Sequence, residues 1–200
     1  MKDLSKSQSY QDAKVYSTEG AKKIPVGNYK AKILDVKYDD NSAKGISDSI
    51  NIRFDIVEGE YAGYYQERYN YALENNPDDA KWKGVLRLYV PKDDGTEKDG
   101  WTMRTFKTAT NAIEESNPGY VWDWDETKWK DKVVGIRFCE DCYNGHTYAK
   151  PKDMIPVGEI ETAALAKPTK AAQNKSNNTP SDDSDEFMTV PDTGKDKSPF

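Results

Sequence analysis

The chain of 200 residues sets 29 Lys and Arg against 35 Asp and Glu, a net charge of −6, and only 36% of its residues are apolar. That polarity excludes one compact core running from end to end. No stretch reaches the roughly 18–20 uncharged apolar residues of a bilayer crossing, and Met1 to Gly20 hold no apolar run of the secretory kind. Cys139 and Cys142 alone make no disulfide framework, so the expected setting is a reducing cytoplasm.

Composition divides the chain in three. Residues 1–23 form a polar arm rich in Ser, Lys and Gln, and residues 24–160 carry all five Trp, both Cys and nearly all of the β-type periodicity. Residues 161–200 are dominated by Ala, Lys, Asn, Ser and Pro and are expected to be a disordered linker with an acidic tail, because they bury too little surface to offset ordering entropy.

Within the body, alternation from Gly27 to Asp39 changes phase once, which predicts a strand with a bulge near Ile33. Ser49 to Val57 alternates cleanly, with Ile50, Ile52, Phe54 and Ile56 on one face and Asn51, Arg53 and Asp55 on the other. Gly63 to Tyr71 reads as a third strand, with Tyr65, Tyr69 and Tyr71 opposite Tyr64, Gln66 and Arg68. Val85 to Val90 fits a short strand or a helix end, and Asp93-Asp94-Gly95 with Asp99-Gly100 marks a loop. Thr105 to Glu115 has helical spacing at Phe106, Ala109, Ala112 and Ile113, stopped by Asn117-Pro118-Gly119. Strands over Lys132 to Cys139 and His146 to Ile155 close the body, joined at Asn144-Gly145, a dipeptide suited to a φ > 0 turn. Five strands with a helix before the last hairpin fit a mainly β, OB-type five-stranded barrel, and a β-sandwich fits almost as well.

Catalysis finds little support. His146 is the only histidine, and neither a nucleophile elbow nor a phosphate-binding glycine loop is present, so a non-enzymatic protein without cofactor is expected. Cys139, Cys142 and His146 resemble half of a zinc site, but four ligands are needed and no second Cys pair exists, so two strand-end cysteines are the better reading and no metal is expected. Asp123 to Glu126 could hold a divalent cation, yet a solvated acidic turn is the simpler account.

The 13 Tyr, 5 Trp and 5 Phe are many for so hydrophilic a chain, so some rings must be exposed. Exposed rings on a β-rich protein stack on flat partners such as bases or sugars. The overall negative charge disfavours a duplex binder. Single-strand binders instead rely on stacking and a local cationic groove, and the chain interleaves rings with cations. Arg53, Arg68, Tyr69, Trp82, Arg87 and Trp101 are the expected DNA face. From Ser181 to Asp192 the chain carries five acids and no base around Phe187, and it ends Pro199-Phe200. Asp182, Asp183, Asp185, Glu186, Phe187, Pro199 and Phe200 therefore read as a docking tail for partner proteins, or as a solubilising tail.

With its aromatic body, its linker and its acidic end in Pro-Phe, the chain resembles the single-stranded DNA-binding proteins of bacteriophage replication modules. The stretches Ile24-Pro-Val-Gly-Asn-Tyr-Lys, Phe54-Asp-Ile-Val-Glu-Gly-Glu-Tyr-Ala-Gly and Ala112-Ile-Glu-Glu-Ser-Asn-Pro-Gly-Tyr are similar to small DNA-metabolism proteins of phages of Gram-positive bacteria. The resemblance implies an OB-fold body in the bacterial host cytoplasm that coats single-stranded DNA during replication or recombination. It also implies recruitment of replication or recombination proteins through the tail, with no membrane partner. Homo-oligomer formation stays open. Lys195 and Lys197 depart from the family, whose acids sit directly before Pro-Phe. Two other readings use the same rings: a carbohydrate-binding or adhesive β-sandwich, and a strand-annealing or nuclease-modulating accessory.

Overall fold

The computed structural model describes residues 3, 5–12, 22–41, 43 and 45–177. The acidic-tail residues, Asp182 to Phe200, lie outside them. A short helix, α1 (Gln8–Gln11), is the only regular element of the arm among the described residues.

Five antiparallel strands form one sheet in the order β3-β2-β1-β4-β5: β1 (Asn28–Asp39), β2 (Ser49–Ile56), β3 (Val85–Tyr89), β4 (Val133–Tyr143) and β5 (His146–Ile155). The phase change in β1 is a register shift between Ile33 and Asp35 in its pairing with β2. The β4–β5 turn has Asn144 at φ 48° and Gly145 at φ 77°, as the dipeptide predicts. The sheet curls so that edge strands β3 and β5 approach each other, but they do not pair, so it is not a closed barrel. The architecture is mainly β, as expected.

One face of the sheet is the core. Ile33, Ile52, Phe54, Val134, Ile136 and Phe138 are fully buried there. Helix α3 (Glu97–Ser116) packs against β5, β4 and β3 and buries Phe106, Ala109, Ala112 and Ile113. It begins eight residues earlier than the expected Thr105, because Thr96 accepts the Asp99 N–H at 3.1 Å and the Asp99 carboxylate accepts the Lys92 N–H at 2.7 Å. That capping satisfies backbone donors which Asp99-Gly100 would leave open as a loop. Asn117 ends the helix and ties it to β4, donating to the Ile113 and Val133 carbonyls and accepting the Val133 N–H.

The expected third strand, Gly63 to Tyr71, is instead helix α2 (Tyr64–Asn75). The cause lies on β2, where the buried Asp55 carboxylate accepts the Tyr65 and Gln66 N–H groups, both at 3.0 Å. A carboxylate there satisfies orphan donors and complements the helix dipole. Tyr, Gln, Glu and Arg alternate as well as they recur helically, so the pattern alone favoured the wrong period. The absence of any β-branched residue from Tyr64 to Asn75 was the overlooked signal.

The chain beyond residue 160, expected to be a disordered linker from its first residue, runs on as a strap over β4. Asn28 donates to the Ile160 and Ala163 carbonyls, Arg137 to the Ala164 carbonyl, and Thr169 N–H to the Glu140 carbonyl. Thr169 Oγ1 also donates to Asp141 at 2.5 Å, and helix α4 (Lys170–Asn177) follows with Ala172 buried. Small alanines and backbone hydrogen bonds hold the strap, contacts that low hydrophobicity does not forbid.

Candidate nucleic-acid interface

The solvent face of β2 and β3 is set by strand alternation. Pairing places Asn51 beside Arg87, Arg53 beside Val85 and Ser49 beside Tyr89, so Arg53, Arg87 and Tyr89 share one face. Across β1 the same face continues through Asp35 and Lys37, opposite Arg53 and Asn51. Arg87 Nε donates to Asn51 Oδ1 at 3.1 Å, Asn51 Nδ2 donates to Asp39 at 2.5 Å, and Lys37 pairs with Asp39 at 3.0 Å. The Lys37 ammonium first, then Asn51 and the Arg87 charge, hold the Asp39 carboxyl below its ordinary range. These contacts preorganise the cations without covering them, since Arg53 and Arg87 are exposed.

Trp82 joins the sheet face to α2. Its indole N–H is shared between the Phe54 and Gly84 carbonyls, at 3.2 and 3.1 Å. Gly84 is required here, because a side chain would run into the Phe54 carbonyl and the Tyr65 ring. The Arg53 guanidinium lies 4.8 Å from the Trp82 ring centroid, and the rings of Tyr69 and Tyr65 approach at 5.7 and 6.5 Å. Trp82 is therefore half-buried with its neighbours on the ring, and it acts as a platform for Arg53 rather than as a free stacking surface. Arg68 donates to the Tyr64 hydroxyl at 3.1 Å, with its guanidinium carbon 5.5 Å from that ring, and so belongs to α2.

Of the six expected residues, the structure thus brings Arg53 and Tyr69 onto Trp82, sets Arg87 on the same sheet face as Arg53, and leaves Arg68, next to Tyr69 on α2, on the Tyr64 ring. Trp101 stands apart on α3, 59% exposed, with Arg104 at 4.9 Å from its ring. Among the described residues no ring or cation contact links it to the Trp82 group. The expected DNA face did not include Tyr89, 49% exposed and two residues from Arg87 on β3, or Tyr71, 63% exposed on α2. Once Val85–Tyr89 is a strand, alternation places Tyr89 with Arg87.

A groove of about 510 Å³ opens between α2 and the segment leading into β3, lined by Tyr65, Tyr69, Tyr71, Arg68, Lys81 and Lys83 among others. Burial pushes the Tyr65 phenol well above its ordinary value, so it stays neutral.

Two other clusters lack the features of a site. Cys139 and Cys142, three apart on β4, fall on opposite faces, and burial raises the Cys139 thiol above its ordinary value. Among the described residues no group of three or more His, Cys, Asp or Glu is placed to hold a metal ion. In the acidic turn, Lys128 pairs with Asp123 and Asp125, and Asp125 accepts from Thr127, so these carboxylates organise the turn itself. Among the described residues no helix is long and apolar enough to cross a membrane. Compared with models of known protein families and with curated proteins, the chain matches none.

Proposed function

We propose that the protein is a non-enzymatic single-stranded DNA-binding protein of the bacteriophage type, coating the strand with little sequence preference during replication or recombination. The observation that carries this reading is the solvent face of β2 and β3 that holds Arg53, Arg87 and Tyr89 and continues through the Arg53–Trp82–Tyr69 cluster to α2. Guanidinium groups held by rings and amides meet phosphates, while exposed tyrosines offer faces to bases of any identity. A chain of net charge −6 that gathers cations and rings on one face is suited to single strands, whose binding draws on stacking as well as charge.

The strand order supports the same reading. With β1 central, β2-β3 and β4-β5 on its two sides, the long helix between β3 and β4, and the outer strands drawn together, the arrangement is compatible with a partly open OB-type barrel. On this reading the acidic tail recruits replication or recombination proteins.

Anisotropy of a fluorescent oligothymidine, titrated at low and moderate salt beside a duplex of equal length, tests the proposal. Salt-weakened binding to the single strand with little binding to the duplex is expected. Equal or absent binding to both would overturn it.

A further inference from the structure

Beyond the sheet face, we propose that the α2 groove is a pocket for one unstacked nucleotide of the bound strand. The inference rests on the single-strand reading above and extends it to a second surface. Four cations, Lys22, Arg68, Lys81 and Lys83, line the groove against two carboxylates, Glu67 and Asp79, in a chain that is acidic overall. Lys81 and Lys83 are exposed and make no ion pair among the described residues, so both are available to phosphate. The volume of about 510 Å³ lies within the roughly 300–1,000 Å³ of pockets that hold small organic ligands.

Helical geometry arranges the floor and flanks. At about 100° per residue, Arg68 and Ala72 run along the middle of the groove face of α2, with Tyr69 and Tyr71 on either side. The small Ala72 leaves the space that a base would enter, and the flanking tyrosines supply ring surface. Trp82 makes the groove continuous with the sheet face, since Arg53 lies on its ring and Tyr69 of the groove touches it as well. A strand crossing Arg87 and Arg53 therefore reaches Lys81 and Lys83, the sequence neighbours of Trp82, with one base free to turn into the groove. A paired base cannot make that turn, so the pocket also disfavours duplex.

Ala72→Trp fills the groove without removing a charge, and Lys81→Glu with Lys83→Glu reverses its rim without touching the core. Each is measured on the full chain with oligothymidines of increasing length, alongside photocrosslinking with 5-iododeoxyuridine and a thermal melt. Wild-type protein is expected to crosslink at Tyr69 or Tyr71. Either variant should bind long oligonucleotides about 10-fold more weakly and cover fewer nucleotides, the loss expected for one stacked base. Where Ala72→Trp fails to fold, the lysine pair decides alone. Unchanged affinity and covered length in the folded variants, with crosslinks confined to β3, would overturn the pocket and leave the sheet-face reading standing. Failure of wild-type protein to bind single strands would overturn both.

Discussion

Two regions of this molecule are rich in aromatic rings, and they differ in what surrounds the rings. Around Trp82 the neighbours are Arg53, on its ring, and Lys81 and Lys83, beside it in sequence, and the rings lie between the sheet and α2. Around Trp122, Trp124 and Trp129 the charged neighbours in sequence are Asp123, Asp125 and Glu126, with Lys128 taken up by the two aspartates, and the rings pack on one another. Trp129 is fully buried, Trp122 lies 4.8 Å from it, and Trp124 stacks on Phe106 at 6.2 Å and 16°. The second region fixes the connection between α3 and β4, helped by Glu114, which accepts the Trp122 N–H at 2.6 Å. Exposed rings alone do not mark a nucleic-acid surface, because rings that pack on one another beside a lysine already paired with aspartates offer phosphate less than rings set among cations with no ion pair among the described residues.

The sharpest break of this comparison is Trp129→Ala. Removal of a fully buried indole should cost about 3–5 kcal/mol in urea denaturation, as large-to-small core changes do. A loss below about 1 kcal/mol would deny the acidic region its structural role.

On the cationic side, Arg53→Ala with Arg87→Ala should leave the melting temperature nearly unchanged and weaken single-strand binding about 100-fold, from two charge-assisted contacts of about 1.5 kcal/mol each. The dependence of log affinity on log salt should flatten by about 1.4, at about 0.7 per lost phosphate contact. Full affinity in this double variant would move the interface elsewhere.

Asp141 separates stability from binding, since it lies in neither aromatic region. It accepts from Thr169, Lys150, Tyr148 and the Cys142 N–H, and these contacts, Thr169 foremost, hold its carboxyl well below the ordinary 3.8. Because the folded value is depressed, the stabilisation is complete above about pH 5 and fades as pH falls. Asp141→Asn should therefore cost about 1–3 kcal/mol at pH 7, with the two melting temperatures converging toward acid and affinity at pH 7 unaffected. A gap that stays constant with pH would remove the ionised carboxylate from the account.

The smallest effect is expected at Trp124, 75% exposed at φ 67°. Trp124→Ala should change stability by no more than about 0.5 kcal/mol, and single-strand affinity in the same titration should not move. A clear drop in affinity would erase the distinction between the two regions.

Local pattern carried much of the fold. The bulge near Ile33, the alternation of β2 and the Asn144-Gly145 turn depend on near neighbours and were legible in advance, because period and turn chemistry are properties of a few consecutive residues. The candidate site was legible in kind, as rings among cations, and less so in membership. Arg53 followed from strand alternation and Arg87 from the interleaved Arg87-Leu-Tyr89, whereas Trp101 looked equivalent to Trp82 because each has a basic residue close by in sequence.

What only the tertiary structure decided depends on partners distant in sequence. Tyr64 to Asn75 became a helix because Asp55, ten residues upstream, caps it from β2. The strap after residue 160 is ordered because Asn28, Arg137 and Asp141 wait for it on β1 and β4. Trp82 became a platform because Arg53 and Tyr69 converge on it from two elements. The sequence by itself determined β1, β2, β4 and β5, the turn and the unusual supply of rings. Folding decided which rings would meet a cation and which would pack on one another, because contacts form through space and not along the chain.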